Sequence, residues 1–182
     1  MRTIDQYNEC LNKCRELFLK KHKDYGSAWT VLRPVSLVDQ LYIKAHRIRT
    51  LQSASDRKVE DSIEAEFMGL VNYGIIGLIQ AKHAPDMNEH YTAEMVTQWY
   101  DEAAEYAKSV MMKKNHDYGE AWRDMSQESF ADLIIMKLLR IRQILSNKGK
   151  TIVSEGIDAN YIDIINYSLF ALILIREGVH QA

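Results

Sequence analysis

The pattern Asp-Tyr-Gly-x-Ala-Trp occurs twice, at Asp24–Trp29 and Asp117–Trp122, and a repeat of that kind narrows the available folds more than any average property of the chain. Laying the second half on the first at an offset of 93 also aligns Tyr7 with Tyr100, Glu9 with Glu102 and Lys20-Lys21 with Lys113-Lys114. The same offset pairs Ser36 with Ser129, Asp39 with Asp132, Lys44 with Lys137, and Arg47-Ile48-Arg49 with Arg140-Ile141-Arg142. After one inserted residue the offset becomes 94, where Asn72-Tyr73 falls on Asn166-Tyr167 and Leu78-Ile79 on Leu172-Ile173. An ordered series of this length is an internal duplication.

Each half reads as three helices, over 3–22, 36–52 and 60–82 and then 92–115, 127–147 and 155–177. Strand signals are absent. Gly26 and Gly119 can take the left-handed conformation that closes a helix. Ser36 and Ser129, each with an Asp three residues on, read as capping-box starts of the second helices, and Pro85 stops the third helix of the first half. The expectation is an all-α bundle of about six helices, with residues 1–182 forming one compact domain from repeat one (1–83) and repeat two (92–182). Third helices this apolar cannot be covered within a ~90-residue unit, so they should lie side by side about an internal pseudo-twofold axis.

Composition enters as a filter on function. A formal net charge of −2 gives no electrostatic reason to expect a nucleic-acid polymer as the main partner, although it leaves room for local basic patches. The N-terminus lacks the continuous apolar stretch of a signal peptide and the last apolar helix is broken by Asp163 and Asn166, so the expectation is a cytoplasmic protein without a membrane segment. Cys10 and Cys14 are four apart on one helix face, the spacing of a buried core pair, with no further ligands nearby for zinc.

Acids in a helix as apolar as 155–177 need partners. At 100° per residue Glu155, Asp158, Asp163 and Asn166 share one polar sector of about 140°. Clustered carboxylates can hold Mg²⁺ and leave room for water and phosphates, which makes Glu155, Asp158 and Asp163 candidate metal ligands and water activators. Lys137 and Arg140 lie three apart on one face, as do Lys44 and Arg47, and either pair could clasp phosphate oxygens. The same residues could instead be a buried ion network with no ligand. In the motif, Tyr118 and Trp122, and Tyr25 and Trp29 in the first copy, could face a base; Gly119 as a helix cap and Trp122 as a core plug explain the same residues without one. Asp117 and Asp24 stand at the unfavourable end of a helix dipole, which suggests a specific hydrogen bond or ligand. Asn72 and Asn166 complete the candidate binding set. Glu155 and Asp158 correspond to Asp61 and Glu64, but Asp163 corresponds to Gly69, so the second repeat is the better candidate for a metal site.

Lys-x-x-Asp-Tyr-Gly-x-Ala-Trp, followed by Lys-x-x-Arg-Ile and an acid-rich helix ending in Asn-Tyr, resembles the nucleotide-modification-associated domain family, type one. The resemblance covers both halves and implies a nucleotide-related role. The helical architecture is also similar to the all-α nucleotide pyrophosphatases of the MazG and dimeric dUTPase type, which implies Mg²⁺ and hydrolysis of a phosphoanhydride. In those enzymes acids fill the central turn where Lys44 and Lys137 stand here. Two readings follow: a Mg²⁺-dependent hydrolase of a nucleoside triphosphate or modified nucleotide, or a non-catalytic module binding a nucleotide, another phosphorylated small molecule or a protein. Both leave room for a homo-oligomer.

Overall fold

The computed structural model describes residues 2–54, 62–152 and 154–182, and among them the chain forms α-helices and short 3-10 turns without strands. The helices are α1 (Arg2–Tyr25), α2 (Pro34–Ser53), α3 (Ile63–His83), α4 (Ala93–Tyr118), α5 (Gln127–Ser146) and α6 (Ile157–Arg176). Single 3-10 turns, Ala28–Val31 and Ala121–Asp124, follow α1 and α4 and carry the two motif tryptophans. Gly26 and Gly119, at φ of 62° and 65°, let the chain leave each helix.

Three helix boundaries correct the sequence reading. Pro34, whose missing N–H suits a first helical turn, begins α2 after Arg33, so Ser36 lies inside the helix. Ser126, not Ser129, caps α5: its hydroxyl accepts from the Ser129 amide at 3.2 Å. Helix α6 begins at Ile157 after Gly156, which leaves Glu155 off the helix and removes it from the polar sector that helical angles assigned to it. The expected start of α3 at residue 60, and Asp61, lie outside the described residues.

The central layer is α3 against α6, the most extensive contact between any two elements. Gly74 and Gly77 allow it: a Cβ on Gly74 would lie 2.8 Å from Ile165 Cγ1, and one on Gly77 2.6 Å from the Tyr161 ring. At the equivalent positions α6 carries Ser168 and Ala171, both fully buried and small enough for the same close approach. One hydrophobic core draws on both halves. Length and hydropathy alone would let α6 cross a membrane, but most of it is buried among the other helices.

Reciprocal contacts relate the two repeats. Tyr7 donates to Asn166 Oδ1 at 2.8 Å, and its counterpart Tyr100 donates to Asn72 Oδ1 at 2.8 Å. Asn166 Nδ2 donates to the Ala107 carbonyl at 3.1 Å and Asn72 Nδ2 to the equivalent Cys14 carbonyl at 3.0 Å. Burial pushes both phenols far up in pKa, so they remain donors. Between α2 and α5, Arg142 meets Asp39 at 2.8 Å while Arg49 lies 3.8 Å from Asp132. Each pair exchanges residues that the sequence offsets of 93 and 94 make equivalent, the signature of an isologous interface folded into one chain.

Candidate functional site in the second repeat

Asp163 is buried, and each of its carboxylate oxygens faces a lysine. Lys114 Nζ from α4 lies 2.8 Å from Oδ1, and Lys137 Nζ from α5 lies 2.8 Å from Oδ2. The lysines differ in freedom: the Lys137 side chain is 12% exposed and that of Lys114 is 49% exposed. Burial works against a charged Lys114, but the hydrogen bond and charge of Asp163, together with the charge of Glu155, outweigh it and raise the ammonium's pKa above the ordinary lysine value. Burial first, and Asp163 after it, also raises the Tyr167 phenol. Arg140 is exposed, close enough to act electrostatically on Tyr167, and makes no ion pair among the described residues. Cations therefore outnumber acids around this carboxylate.

A cavity of about 170 Å³ opens beside it, between the end of α4, the 3-10 turn and α6. Lys114 and Asp163 supply its charge, Met111, Tyr167 and Phe170 its apolar side, and Tyr118, 78% exposed, belongs to its lining as well. That is smaller than the ~300–1,000 Å³ of a whole drug-sized ligand, so it admits one part of a nucleotide, not all of it.

Trp122 does not offer a face to a base. Its ring stacks on Phe170 at 4.2 Å and 5° between planes, the Arg123 guanidinium lies 4.3 Å from its centroid, and 7% of the residue is exposed. The indole N–H donates to Asn115 Oδ1 at 3.1 Å. It is the core plug of the two readings. Arg123 then fastens the turn to the rest of the fold, donating to Glu120 (2.8 Å), Thr3 (2.9 Å), Gln6 (2.8 Å) and Glu177 (3.2 Å). Asn166 lines the cavity as well, with one lone pair of its amide taken by Tyr7 and one N–H given to the Ala107 carbonyl. Asp117 is exposed and meets the neighbouring, equally exposed His116 at 3.2 Å, so no buried hydrogen bond explains its place at the helix end.

The three candidate metal acids do not come together. Asp163 is neutralised by two lysines, Glu155 is exposed ahead of α6, and Asp158 is exposed in the first turn of α6, lining a different cavity. Among the described residues no group of three or more His, Cys, Asp or Glu is arranged to hold a metal ion. A carboxylate already bonded to two ammonium groups is a poor Mg²⁺ ligand, so this donor set does not fit the expected ion.

The first repeat holds the same scaffold differently. Asp24 and Tyr25 are exposed. Trp29 is half-buried and its N–H has no hydrogen-bond partner, and His22 stands at the position of Asn115. Gly69 replaces the acid, and Lys44 lies over it: a Cβ there would sit 3.0 Å from Lys44 Cδ and Cε. The negative charge comes instead from buried Glu66, one turn earlier, 3.8 Å from Lys44 Nζ and 3.5 Å from Arg47 Nη1. Asn72, like Asn166, is used by the core.

A family model described as nucleotide modification associated domain 1 matches the chain twice, over residues 21–81 and 114–175. The chain belongs to that family. Both matches contain the motif and the lysine of the second helix, and the second contains the whole Lys114–Asp163–Lys137 group. No curated protein and no solved structure matches the chain. Lys114 is the member of the group that the sequence alone did not mark as a site residue, although its alignment with Lys21 was visible; Arg123, aligned with Thr30, left no repeat signal at all.

Proposed function

We propose that the second repeat binds a phosphorylated nucleotide, with Lys114, Lys137 and Arg140 taking the phosphate oxygens and Tyr118 and Tyr167 flanking the remainder of the ligand. The observation that carries this reading is the buried Asp163 held between two lysines 2.8 Å away at the edge of the 170 Å³ cavity. An incoming phosphate competes with Asp163 for the more exposed Lys114, while Lys137 keeps the carboxylate neutralised. Asp163 thus holds both ammonium groups ready in the absence of ligand. Membership of a family described by nucleotide modification supports a nucleotide over other phosphate esters.

The finer reading, Mg²⁺-dependent hydrolysis of a nucleoside triphosphate or modified nucleotide by Glu155, Asp158 and Asp163, receives no support from their placement, and no hydrolytic step is assigned. Calorimetry of the full chain with ATP and dTTP, in EDTA and again with Mg²⁺, separates the two. Binding in EDTA that weakens by about tenfold in Lys137→Ala and in Lys114→Ala supports the binding module. Absence of binding, or turnover with Mg²⁺ that is lost in Asp158→Ala, overturns it.

A further inference from the structure

A second and larger cavity, of about 590 Å³, lies where the C-terminal end of α3 meets α4 and the start of α6. Its volume is in the range of whole small-molecule sites. Leu78, Ile79 and Ile157 are among its apolar lining; Trp99 and Tyr106 add aromatic surface, and Lys82, His83, Glu102 and Asp158 are its charged or titratable groups. His83 stacks on Trp99 with centroids 4.6 Å apart and 19° between planes, and its buried Nε2, 3.5 Å from Glu102, makes no hydrogen bond. Glu102 accepts from Lys82 at 3.2 Å and from Gln98 at 3.2 Å, bonds that hold its carboxyl below the usual range and keep it ionised. Asp158 is exposed and makes no ion pair among the described residues. With Lys82 paired, the cavity is acidic overall.

The duplication supplies a control within the same chain. At the offsets of 93 and 94, the Lys82–Glu102 pair has its equivalent in Arg176–Glu9, 3.1 Å apart. His83, Trp99 and Tyr106, however, correspond to Glu177, Gln6 and Lys13. In that copy Gln6 bonds Glu177 at 2.6 Å, and Arg123 and Arg2 complete an ion network across the region. Polar closure in one repeat is thus replaced by a histidine, two aromatic side chains and an open cavity in the other. The residues responsible also fall in 82–113, between the two segments that the family model matches.

We propose that this cavity is a separate site for a neutral or cationic planar heterocycle carrying an exocyclic amine, such as an unphosphorylated aminated nucleoside. The apolar and aromatic lining takes the ring against the stacked His83–Trp99 pair, and Asp158 accepts from the amine. Phosphate is disfavoured by Glu102 and Asp158, which separates this site from the lysine-rich one in the second repeat.

The test is a titration of the full chain with adenosine, with inosine as the analogue lacking the amine and AMP as the phosphorylated competitor, read by calorimetry and tryptophan fluorescence. Adenosine should bind more tightly than either. The double variant His83→Glu, Trp99→Gln, which installs the residues of the other repeat, should weaken it about tenfold or more. Asp158→Asn, an exposed change that leaves the core alone, should narrow the preference over inosine, and Lys137→Ala should leave adenosine binding unchanged. Absence of adenosine binding overturns the proposal. So does binding that survives the double variant, or that is lost in Lys137→Ala, which would place the nucleoside in the motif cavity. Because nucleotide binding at the lysines is measured with ATP and Lys137→Ala, either site can fail without the other.

Discussion

The two copies of Asp-Tyr-Gly-x-Ala-Trp each leave their helix through a glycine of positive φ and enter the same kind of 3-10 turn, yet only the second is closed by side chains. Trp122 is stacked, hydrogen-bonded and covered by Arg123; Trp29 is half-buried with an unbonded N–H, and the nearby His22 Nδ1 and Ser27 Oγ are also buried without hydrogen bonds. A motif can therefore fix a backbone path without fixing the chemistry at its end. What differs is contributed from elsewhere: Asn115, Phe170 and Arg123 in one copy, His22, Ile76 and Thr30 in the other.

The largest expected difference between the copies is the cost of removing each tryptophan. Trp122→Ala deletes a buried, stacked ring and should cost about 3–5 kcal/mol, with Trp29→Ala clearly cheaper because its site is only half-buried. Urea denaturation of both variants checks this, and equal losses would erase the distinction. Next comes the acid. Asp163→Ala strands the largely covered Lys137 and should cost roughly 3 kcal/mol. Glu66→Ala should cost less, since Lys44 and Arg47 are more exposed and lie 3.5 Å or more from it. Because Lys114 has a raised folded pKa, its contribution is fully present below the ordinary lysine value of 10.5 and is lost as pH rises through the folded value. Chemical denaturation at successive pH values from 10.5 upward should show that loss in the parent chain and not in Asp163→Asn.

The asparagine latches sharpen the comparison from the other side, because there the repeats are alike. Asn166→Ala and Asn72→Ala should each cost about 2 kcal/mol, by leaving a buried tyrosine hydroxyl and a backbone carbonyl unbonded, and the two losses should agree within about 1 kcal/mol. A large asymmetry in thermal melts would show that the reciprocal bonds do not bear equally on the fold. The smallest effect belongs to Gly69→Asp. Replacing a helical glycine gains up to about 1 kcal/mol, while displacing the flexible Lys44 chain and adding a charge three residues from Glu66 offsets it. Stability should stay within about 1 kcal/mol of the parent; a larger loss would mean that Lys44 cannot move aside.

Much of the architecture was legible in the sequence for one reason: the offsets of 93 and 94 expose positions that obey the same constraint twice, and helical periodicity with few prolines admits little else. That determined the all-α class, the two repeats and the pairing of α3 with α6. Where caps depend on a local hydrogen bond, the sequence misled by up to three residues, because Ser126 and Ser129 are equally good capping residue types and only the backbone chooses between them. The tertiary structure alone decided where the candidate site residues stand. Helical angles placed Glu155, Asp158 and Asp163 in one sector, but one lies off the helix, one is exposed at its first turn, and one is claimed by lysines from two other helices. A period along one helix says which way a carboxylate points, and nothing about which cations or hydroxyls the neighbouring helices bring to meet it. For the same reason the sequence could not show that the fold delivers Tyr100 and Tyr7 from the opposite repeat to bond Asn72 and Asn166.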